Sequence, residues 1–598
     1  MRARLAVFWA YFTSCSAYST WCGKYYELAA PHTPPAPDSY FVFPKSSSTP
    51  LLDFRCTPAS SIYISGDLHD LPEIIMDASL TYDVGLPVKG IRGELLQVQI
   101  FVDGVPITSA MVPLGSIGHM VSIPLEGVSP RVQARSLRCT VKLGSHEYTS
   151  HAELRYMPEK KAGSIVKLDR RTGGTWARRK GEWKSFIPFG WYDSIDTAET
   201  PSSQLFDWWS PSRPPTNAQR LDRAHSLGSN MIHPVPPGKT YQPDGPAAIN
   251  AYFDRAEELG LWIMYDMRHA LLDLASIEEQ VLAFRDRPNL LTWYIADEPD
   301  GPPTPLDAVI KARDLIHRLD PYHPISLVLN CNDHYWTAFT AGTDILLADV
   351  YSIAINPIYS KKWSTPVTPT FGASGCDGCQ GNFYDLADRL DSWEEKKRVT
   401  GRKRDLVTWV VPQAFDDQGE EFWWRVPEGR EEAVQVILAW NHGVMGHCAW
   451  LASSSTPDLL NNASFIASHL YSQSSFLIDR AYSRRPIRTT QPLDGENGID
   501  VASWTKPLSG GITETLVMAA QLNYIGPDAR VDFGILGVKG KIKEVLFGGV
   551  YQDGGVRFRM GRISVAAVIL RHVPEEDSLL AIGPPQLRMG IGQPMCIL

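Results

Sequence analysis

Two adjacent carboxyl side chains end an apolar segment near the middle of the chain. Residues 290–296 read Leu-Leu-Thr-Trp-Tyr-Ile-Ala, and Asp297, Glu298 and Pro299 follow directly. The segment is typical of a buried strand, which the proline ends. A buried carboxyl group can stay protonated near neutral pH and transfer its proton. The next predicted helix begins only near residue 306, too late to be capped by this pair. We therefore interpret Glu298 as a general acid and Asp297 as its electrostatic neighbour.

Eight apolar segments of this kind alternate with amphipathic ones between residues 184 and 474, the pattern of βα units. Eight pairs are the number in a closed (β/α)8 TIM barrel. A doubly wound sheet, the competing fold, would carry a Gly-rich phosphate turn after an early strand, and the sequence has none. The predicted strands are 186–192, 230–233, 261–266, 290–295, 325–330, 345–349, 406–411 and 445–451. The predicted helices are 218–227, 247–259, 277–285, 306–319, 335–341, 383–400, 430–442 and 458–471.

In a barrel of this kind, the side chains that follow the carboxyl ends of the strands line one mouth. Carboxylates, amides and aromatic rings follow most of the predicted strands, and together they are the chemistry of a sugar-binding site. No His-x-His or His-Glu-x-x-His spacing occurs, so we expect no catalytic metal and no other cofactor. The candidate substrate-binding residues are Tyr192, Asp266, His269, Asn330, Tyr351, Gln413, Asp416 and Trp450.

The ending Ala296-Asp297-Glu298-Pro299 resembles the Asn-Glu-Pro or Asp-Glu-Pro ending of strand four in the clan A glycoside hydrolases. The resemblance covers the barrel. It implies cleavage of O-glycosidic bonds in a poly- or oligosaccharide, with Glu298 protonating the departing oxygen. Retaining members of that clan place a nucleophilic Glu at the end of strand seven, where this chain has Gln413. An amide cannot attack a sugar carbon as a carboxylate does, so the resemblance does not extend to a retaining mechanism.

Glycosidic cleavage needs a second carboxyl group, and the sequence offers several. Asp349, at the end of the sixth predicted strand, is preferred because strand ends hold side chains more rigidly than loops do. A separation from Glu298 of about 6.5–9.5 Å would suit inversion. Asp416 and Asp417, in the loop after strand seven, are the alternatives. Without a second carboxylate the barrel would only bind glycans, so a non-catalytic glycan-binding or scaffold protein is the rival function. A barrel hydrolase of a different bond is a third possibility.

The rest of the chain divides around the predicted barrel of residues 184–474. Residues 1–17 combine arginines, a short apolar run and small residues, the pattern of a signal peptide. Residues 18–50 are a Pro-rich extended lead-in. Short alternating strands separated by turns predict antiparallel β-sandwich domains at 51–160 and 480–573. Residues 574–598 are a loose tail rich in Pro and Gly.

Cysteine usage and charge favour an extracellular protein. Loss of Cys15 with the signal peptide leaves eight of the nine cysteines, an even number that suits an oxidising compartment. Cys376 and Cys379 are expected to form a local disulfide, and Asn462 begins an N-glycosylation sequon. The net charge of −9 argues against nucleic acid as a partner. We expect a carbohydrate substrate and no membrane span in the mature chain, because no other segment is long and apolar enough. The sequence does not indicate an oligomeric state.

Overall fold

The computed structural model describes residues 20–25, 39–67, 71–88, 94–143, 146–195, 215–235, 245–372, 374–417, 421–451, 455–478, 498–526, 528–532, 538–552 and 556–574. The predicted signal peptide at 1–17 lies outside these ranges, as does the predicted tail except for residue 574. Of the predicted lead-in at 18–50, residues 20–25 and 39–50 are described. None of the helices in the described ranges is long and apolar enough to cross a membrane.

The first domain is an antiparallel β-sandwich, preceded by a short hairpin. Its strands alternate buried and exposed residues, as in β7, because each sheet faces the core on one side. The disulfide Cys56–Cys139 joins the two sheets, whose orders are β6–β3–β5–β9 and β11–β10–β7–β8. The strands are β1 (Thr20–Trp21), β2 (Lys24–Tyr25), β3 (Leu51–Pro58), β4 (Tyr63–Ile64), β5 (Glu73–Thr81), β6 (Leu86–Pro87), β7 (Leu95–Val102), β8 (Val105–Pro113), β9 (His119–Ser122), β10 (Arg135–Leu143), β11 (His146–Leu154) and β12 (Tyr156–Met157).

A three-stranded sheet that the sequence analysis did not separate follows the sandwich. It consists of β13 (Ile165–Leu168), β14 (Thr175–Arg179) and β15 (Glu182–Phe186). Its residues contact the amino ends of barrel strands: the Ser164 hydroxyl donates to the carbonyl of Leu290, and the ring of Phe186 stacks on Trp262. This sheet therefore covers the end of the barrel opposite the predicted site.

Eight parallel strands then close into a barrel in chain order, which confirms the predicted fold. Most of their residues are buried on both faces, and for that reason the strands read as continuous apolar runs. All eight predicted strands are present, with ends shifted by a few residues. They are β16 (Phe189–Ser194), β17 (Met231–Val235), β18 (Trp262–Asp266), β19 (Leu290–Asp297), β20 (Ile325–Leu329), β21 (Ile345–Ala348), β24 (Val407–Val410) and β25 (His447–Ala449). The pair β22 (Tyr359–Ser360) and β23 (Thr365–Pro366) lies in the long loop after β21.

Helices follow the barrel strands at the predicted places. Thr216 and Thr456 cap two of them by accepting a backbone N–H. Gly228, Gly260 and Gly443 follow three helices with φ of 80°, 79° and 85°, the left-handed cap that glycine favours. The helices are α1 (Asn217–Ser226), α2 (Gly245–Glu258), α3 (Leu274–Phe284), α4 (Ala308–Leu319), α5 (Trp336–Thr340), α6 (Tyr384–Val399), α7 (Gly429–Asn441), α8 (Pro457–Ser472) and α9 (Ser474–Leu477).

The last domain is a second antiparallel β-structure, and it packs directly on the barrel. Its main sheet, β26–β27–β32–β29, contacts α7, and Trp504, Leu516 and Met518 belong to the same apolar core as the barrel helices. A smaller sheet has the order β28–β31–β30. The strands are β26 (Ile499–Pro507), β27 (Thr513–Gln521), β28 (Ala529–Asp532), β29 (Lys541–Phe547), β30 (Gly549–Gln552), β31 (Val556–Met560) and β32 (Ser564–His572).

Candidate active site

The carboxyl groups of Glu298 and Asp349 are in hydrogen-bond contact at the carboxyl end of the barrel. Asp349 follows β21 and is buried, whereas Glu298 follows β19 and is half-buried. Only β20 lies between these strands. Asn330, directly after β20, donates from Nδ2 to Glu298 Oε1 over 3.1 Å. One intervening strand lets the two side chains converge.

The backbone of Glu298 has a φ of 46°, in the left-handed region that most residues avoid. Such a conformation costs on the order of 1–3 kcal/mol and persists only where neighbouring contacts impose it. Here the N–H of Glu298 donates to the carbonyl of Val328 over 3.2 Å, and its carbonyl accepts from Gly301 over 3.1 Å. Strain of this kind clusters at functional sites, which agrees with a special role for this residue.

Both carboxyl groups of the pair have a pKa raised above the usual range. Burial, together with the negative charge of Glu298, raises the pKa of Asp349 well above its usual range. Burial also raises the pKa of Glu298, although the hydrogen bonds from Asp349 and Asn330 oppose this rise. The negative charge of Glu298 disfavours a second charge on the adjacent Asp349, so protonation is favoured more strongly at Asp349 than at Glu298.

A third carboxyl group, Asp300, lies behind the pair. It is buried and accepts the backbone N–H groups of Asn330 (3.2 Å) and Cys331 (2.7 Å). Burial raises the pKa of Asp300 well above its usual range, despite these hydrogen bonds and with a contribution from the charge of Glu298. Asp300 therefore holds the loop that presents Asn330, and its charge further raises the pKa of Asp349.

Asp297 is exposed at the mouth, and its carboxylate is held from two sides. Arg268 Nη1 donates to Oδ2 over 2.6 Å, and the Tyr294 hydroxyl donates to Oδ1 over 2.6 Å. The Tyr192 hydroxyl in turn donates to that of Tyr294 over 3.2 Å. The Arg268 guanidinium lies 5.5–5.7 Å from the ring centroids of three aromatic residues, Tyr192, Tyr294 and Trp450. These rings and the arginine make a rigid floor for the mouth.

Asp266, a predicted substrate-binding residue, is fully engaged within this floor. It is 1% exposed and accepts from Arg268 Nε over 2.8 Å, from the Arg268 backbone N–H over 2.8 Å and from His233 Nε2 over 2.7 Å. Burial lowers the pKa of His233, although the adjacent Asp266 opposes this, so the histidine is neutral at pH 7. Asp266 therefore orients Arg268, and its burial separates its carboxylate from the open mouth.

The side chain of Gln413 also forms hydrogen bonds within the fold. Its Oε1 accepts the N–H of Ile353 and its Nε2 donates to the carbonyl of the same residue, both over 3.0 Å. The amide thus ties the loop after β24 to the loop after β21, and the side chain is 0% exposed. Asp417 caps the backbone N–H groups of residues 421–423. It therefore shapes its own loop.

The other predicted residues differ in how they contribute. Tyr351 is buried beside Asp349 and packs edge-on against Phe415 at 5.0 Å. Trp450 is half-buried and packs edge-on against Tyr192, with ring centroids 4.8 Å apart. His269 is half-buried in the 3₁₀ turn next to Arg268, and Asp416 is half-buried in the loop after β24. Their roles toward a substrate remain predictions.

Sequence reasoning missed four residues of the site: Trp21, Arg268, Tyr294 and Asp300. Tyr294 had a signal, because it lies on the same strand as Asp297, three residues earlier. Arg268 follows the third strand and carries the same strand-end signal as Asp266 and His269, but it was not among the candidate substrate-binding residues. Trp21 had none: its Nε1 donates to Asn330 Oδ1 over 3.0 Å across 309 residues of sequence.

A cleft at the rim of the mouth lies between the loops after β21 and β24. Its cavity volume is about 150 Å³. Two aromatic side chains on its walls, Tyr359 and Trp424, are 44% and 55% exposed. Polar groups of Asn356, Lys361 and Glu421 share the lining. Flat exposed rings beside polar groups suit the apolar face and the hydroxyls of a sugar.

Six of the seven described cysteines form three disulfides, and the seventh, Cys448, is a buried free thiol. Cys376–Cys379 confirms the predicted local pair, and Cys22–Cys331 and Cys56–Cys139 join distant segments. Asn462, the predicted glycosylation site, lies within α8, and its Nδ2 donates to the backbone carbonyl of Asp458 over 3.0 Å. Within the described ranges, no three His, Cys, Asp or Glu side chains are grouped as a metal site requires.

Comparisons with known proteins identify structural relatives only. No protein-family model and no curated protein matches the chain. The FMN-binding beta-glucuronidase from Facaelibacterium prausnitzii L2-6 is 9% identical, with 80% of this chain and 72% of that chain covered and a TM-score of 0.31. The Parabacteroides merdae beta-glucuronidase with glycerol in its active site is 10% identical, with 87% and 74% covered and a TM-score of 0.31. A protein named only "Glycoside hydrolase" is 12% identical, with 70% and 98% covered and a TM-score of 0.44. Similarity at this level carries no argument about activity.

Proposed function

We propose that the protein is a glycoside hydrolase whose acid step is carried out by the Glu298–Asp349 pair. The observation that carries the proposal is a pair of neighbouring carboxyl groups, both with a raised pKa, at the open, carboxyl end of a (β/α)8 barrel. Catalytic groups of such barrels lie at this end. The half-buried ring of Trp450 and the rim cleft offer surface to a sugar chain, so the substrate class that we propose is a poly- or oligosaccharide.

The chemistry follows from the protonation state of the pair. Glu298, the less buried member, donates a proton to the glycosidic oxygen while the bond from that oxygen to the anomeric carbon breaks. In the proposed resting state the pair holds one proton, which Asp349 passes to Glu298, and the water that adds to the anomeric carbon after bond cleavage returns a proton to the pair. Once the proton has left, the pair carries two negative charges beside the oxocarbenium-like sugar, which stabilise its positive charge.

A non-catalytic glycan-binding barrel is the second candidate. Gln413 stands where strand seven would present a carboxylate, and both ends of its amide are bonded to the backbone of Ile353. That strand therefore offers no nucleophile, whereas Trp450 and the rim cleft would serve binding alone.

A glycan panel separates the two candidates. We expect the wild type to release reducing ends from at least one poly- or oligosaccharide. Glu298→Gln and Asp349→Asn should lower turnover by about 10²–10⁴-fold while calorimetric binding of the same glycan persists. Glu279→Gln, an equivalent change on the exposed face of α3, is the matched control and should leave turnover intact. Binding without release by the wild type would establish the glycan-binding function instead. NMR of the first-formed anomer would give the stereochemistry.

We also propose that the protein is exported. Disulfides persist in oxidising compartments, and Cys22–Cys331 and Cys56–Cys139 hold together parts of the fold that lie far apart in sequence. The predicted signal peptide at 1–17 would deliver the chain there. Expression in a eukaryotic secretory host should yield protein in the medium with an N-terminus near residue 18. Retention inside the cell with an intact N-terminus would contradict this.

A further inference from the structure

Residues 20–25, here called the strap, lie against the loops at the barrel mouth. The disulfide Cys22–Cys331 attaches the strap to the loop after β20. Lys24 forms an ion pair of 2.6 Å with Asp377, in the loop between β21 and α6. A covalent bond and an ion pair thus hold a segment from the start of the chain beside the carboxyl pair.

The strap reaches the pair through a single amide group. The Trp21 indole Nε1 donates to Asn330 Oδ1 over 3.0 Å, and the Nδ2 of the same amide donates to Glu298 Oε1 over 3.1 Å. An indole N–H can only donate, so the amide oxygen must face it. With the amide reversed, its oxygen would face the Glu298 carboxylate and two N–H groups would oppose each other. Trp21 therefore selects the amide orientation that serves Glu298.

The indole ring of Trp21 packs against Gly301. A Cβ built on Gly301 would come within 2.4 Å of the Trp21 ring atoms Cε2 and Cζ2, so the ring rests directly on the glycine. The backbone N–H of Cys22 donates to the carbonyl of Gly301 over 3.1 Å. Gly301 lies three residues after Glu298, so the turn that carries the acid also seats the indole.

We propose that Trp21 is a positioning residue for the carboxyl pair, acting through Asn330. By aiming the amide N–H at Glu298, it stabilises the singly ionised pair relative to the doubly protonated one. The other charged groups around the pair are Asp297, Asp300 and Arg268, which belong to the barrel and its loops. The catalytic meaning of this positioning rests on the proposed function, but its effect on titration does not.

The test is an infrared titration of the protonated carboxyl band in the full-length protein, with Glu298→Gln spectra subtracted to assign the band. Trp21→Phe keeps an aromatic ring on Gly301 and removes the N–H. Because the amide then loses its fixed orientation, we expect the pair to take up its second proton about one pH unit higher than in the wild type. Trp183→Phe, which removes an indole N–H bound to Asp67 far from the mouth, should not move the titration.

Two further variants distinguish an effect of Trp21 through the Asn330 amide from a general structural disturbance of the site. Gly301→Ala displaces the indole without altering it and should shift the titration in the same direction as Trp21→Phe. In an Asn330→Ala background, Trp21→Phe should produce no additional shift, because the amide through which it acts is gone. An unshifted titration in Trp21→Phe, or an equal shift with and without Asn330, would overturn the proposal. Because this readout needs no substrate, a failed glycosidase assay leaves it intact.

Discussion

His442 provides a quantitative test of how the barrel is joined to the C-terminal domain. It follows α7, with Nδ1 2.8 Å from Asp391 on α6 and Nε2 2.9 Å from Asp500 on β26. Burial opposes its charge, yet these two carboxylates raise the pKa of His442 to about 9. Relative to about 6.5 in the unfolded chain, a rise of about 2.5 units corresponds to roughly 3 kcal/mol of stabilisation. Asp391 is 35% exposed, so water screens part of this.

The perturbation is His442→Gln, which cannot carry the charge. The stabilisation is fully present below the unfolded pKa of about 6.5 and disappears as the pH rises through about 9. In urea unfolding, the variant should therefore lose about 2–3 kcal/mol at pH 6 and much less at pH 10. His151→Gln, on the exposed face of β11, is the control and should change neither value. A loss that is the same at both pH values would refute a charged His442.

Three further outcomes follow from the site. Asp349→Asn should raise the unfolding temperature at pH 8, as measured by differential scanning calorimetry. The reason is that a carboxyl group whose pKa is raised in the folded protein destabilises the fold at any pH above the pKa of that group in the unfolded chain. Trp424→Ala removes an exposed ring of the rim cleft, so it should raise KM about tenfold for long oligosaccharides and leave KM for short ones unchanged. Steady-state kinetics with substrates of increasing chain length measures this, and an equal rise in KM at all lengths would contradict it. Replacing both Cys22 and Cys331 by Ser should lower stability by up to about 5 kcal/mol, because the disulfide closes a 309-residue separation; urea unfolding of the oxidised wild type is the comparison.

The barrel could be predicted because its strands are buried on both faces. Such strands appear as continuous apolar runs, and each of the eight runs marked one strand. The residue that ends a run is then placed at the mouth by topology alone, which is how Glu298 and Asp349 were found. Their direct contact could not be predicted, since it depends on side-chain directions at two strand ends across β20.

Residues that act through other residues were harder to predict. Asp266 and Gln413 follow strands as substrate-binding groups would, yet both are buried, and hydrogen bonds inside the fold engage the Asp266 carboxylate and both ends of the Gln413 amide. A residue that binds substrate and a residue that binds other parts of the fold can have the same polarity and the same position after a strand, and only their hydrogen-bond partners distinguish them. Trp21 lies outside every periodic segment. Its approach to Asn330 is fixed by a disulfide whose pairing no spacing rule provides.

The shared apolar core of the barrel and the C-terminal sheet makes the two parts a single folding unit. Trp504, Leu516 and Met518 complete a surface that the helices of an excised 184–474 fragment would leave open to water. Such a fragment would be prone to aggregate, and grafting the barrel onto another scaffold would require a replacement for that sheet. The barrel therefore cannot readily be exchanged without its C-terminal sheet, and the order of the domains along the sequence does not reveal this dependence.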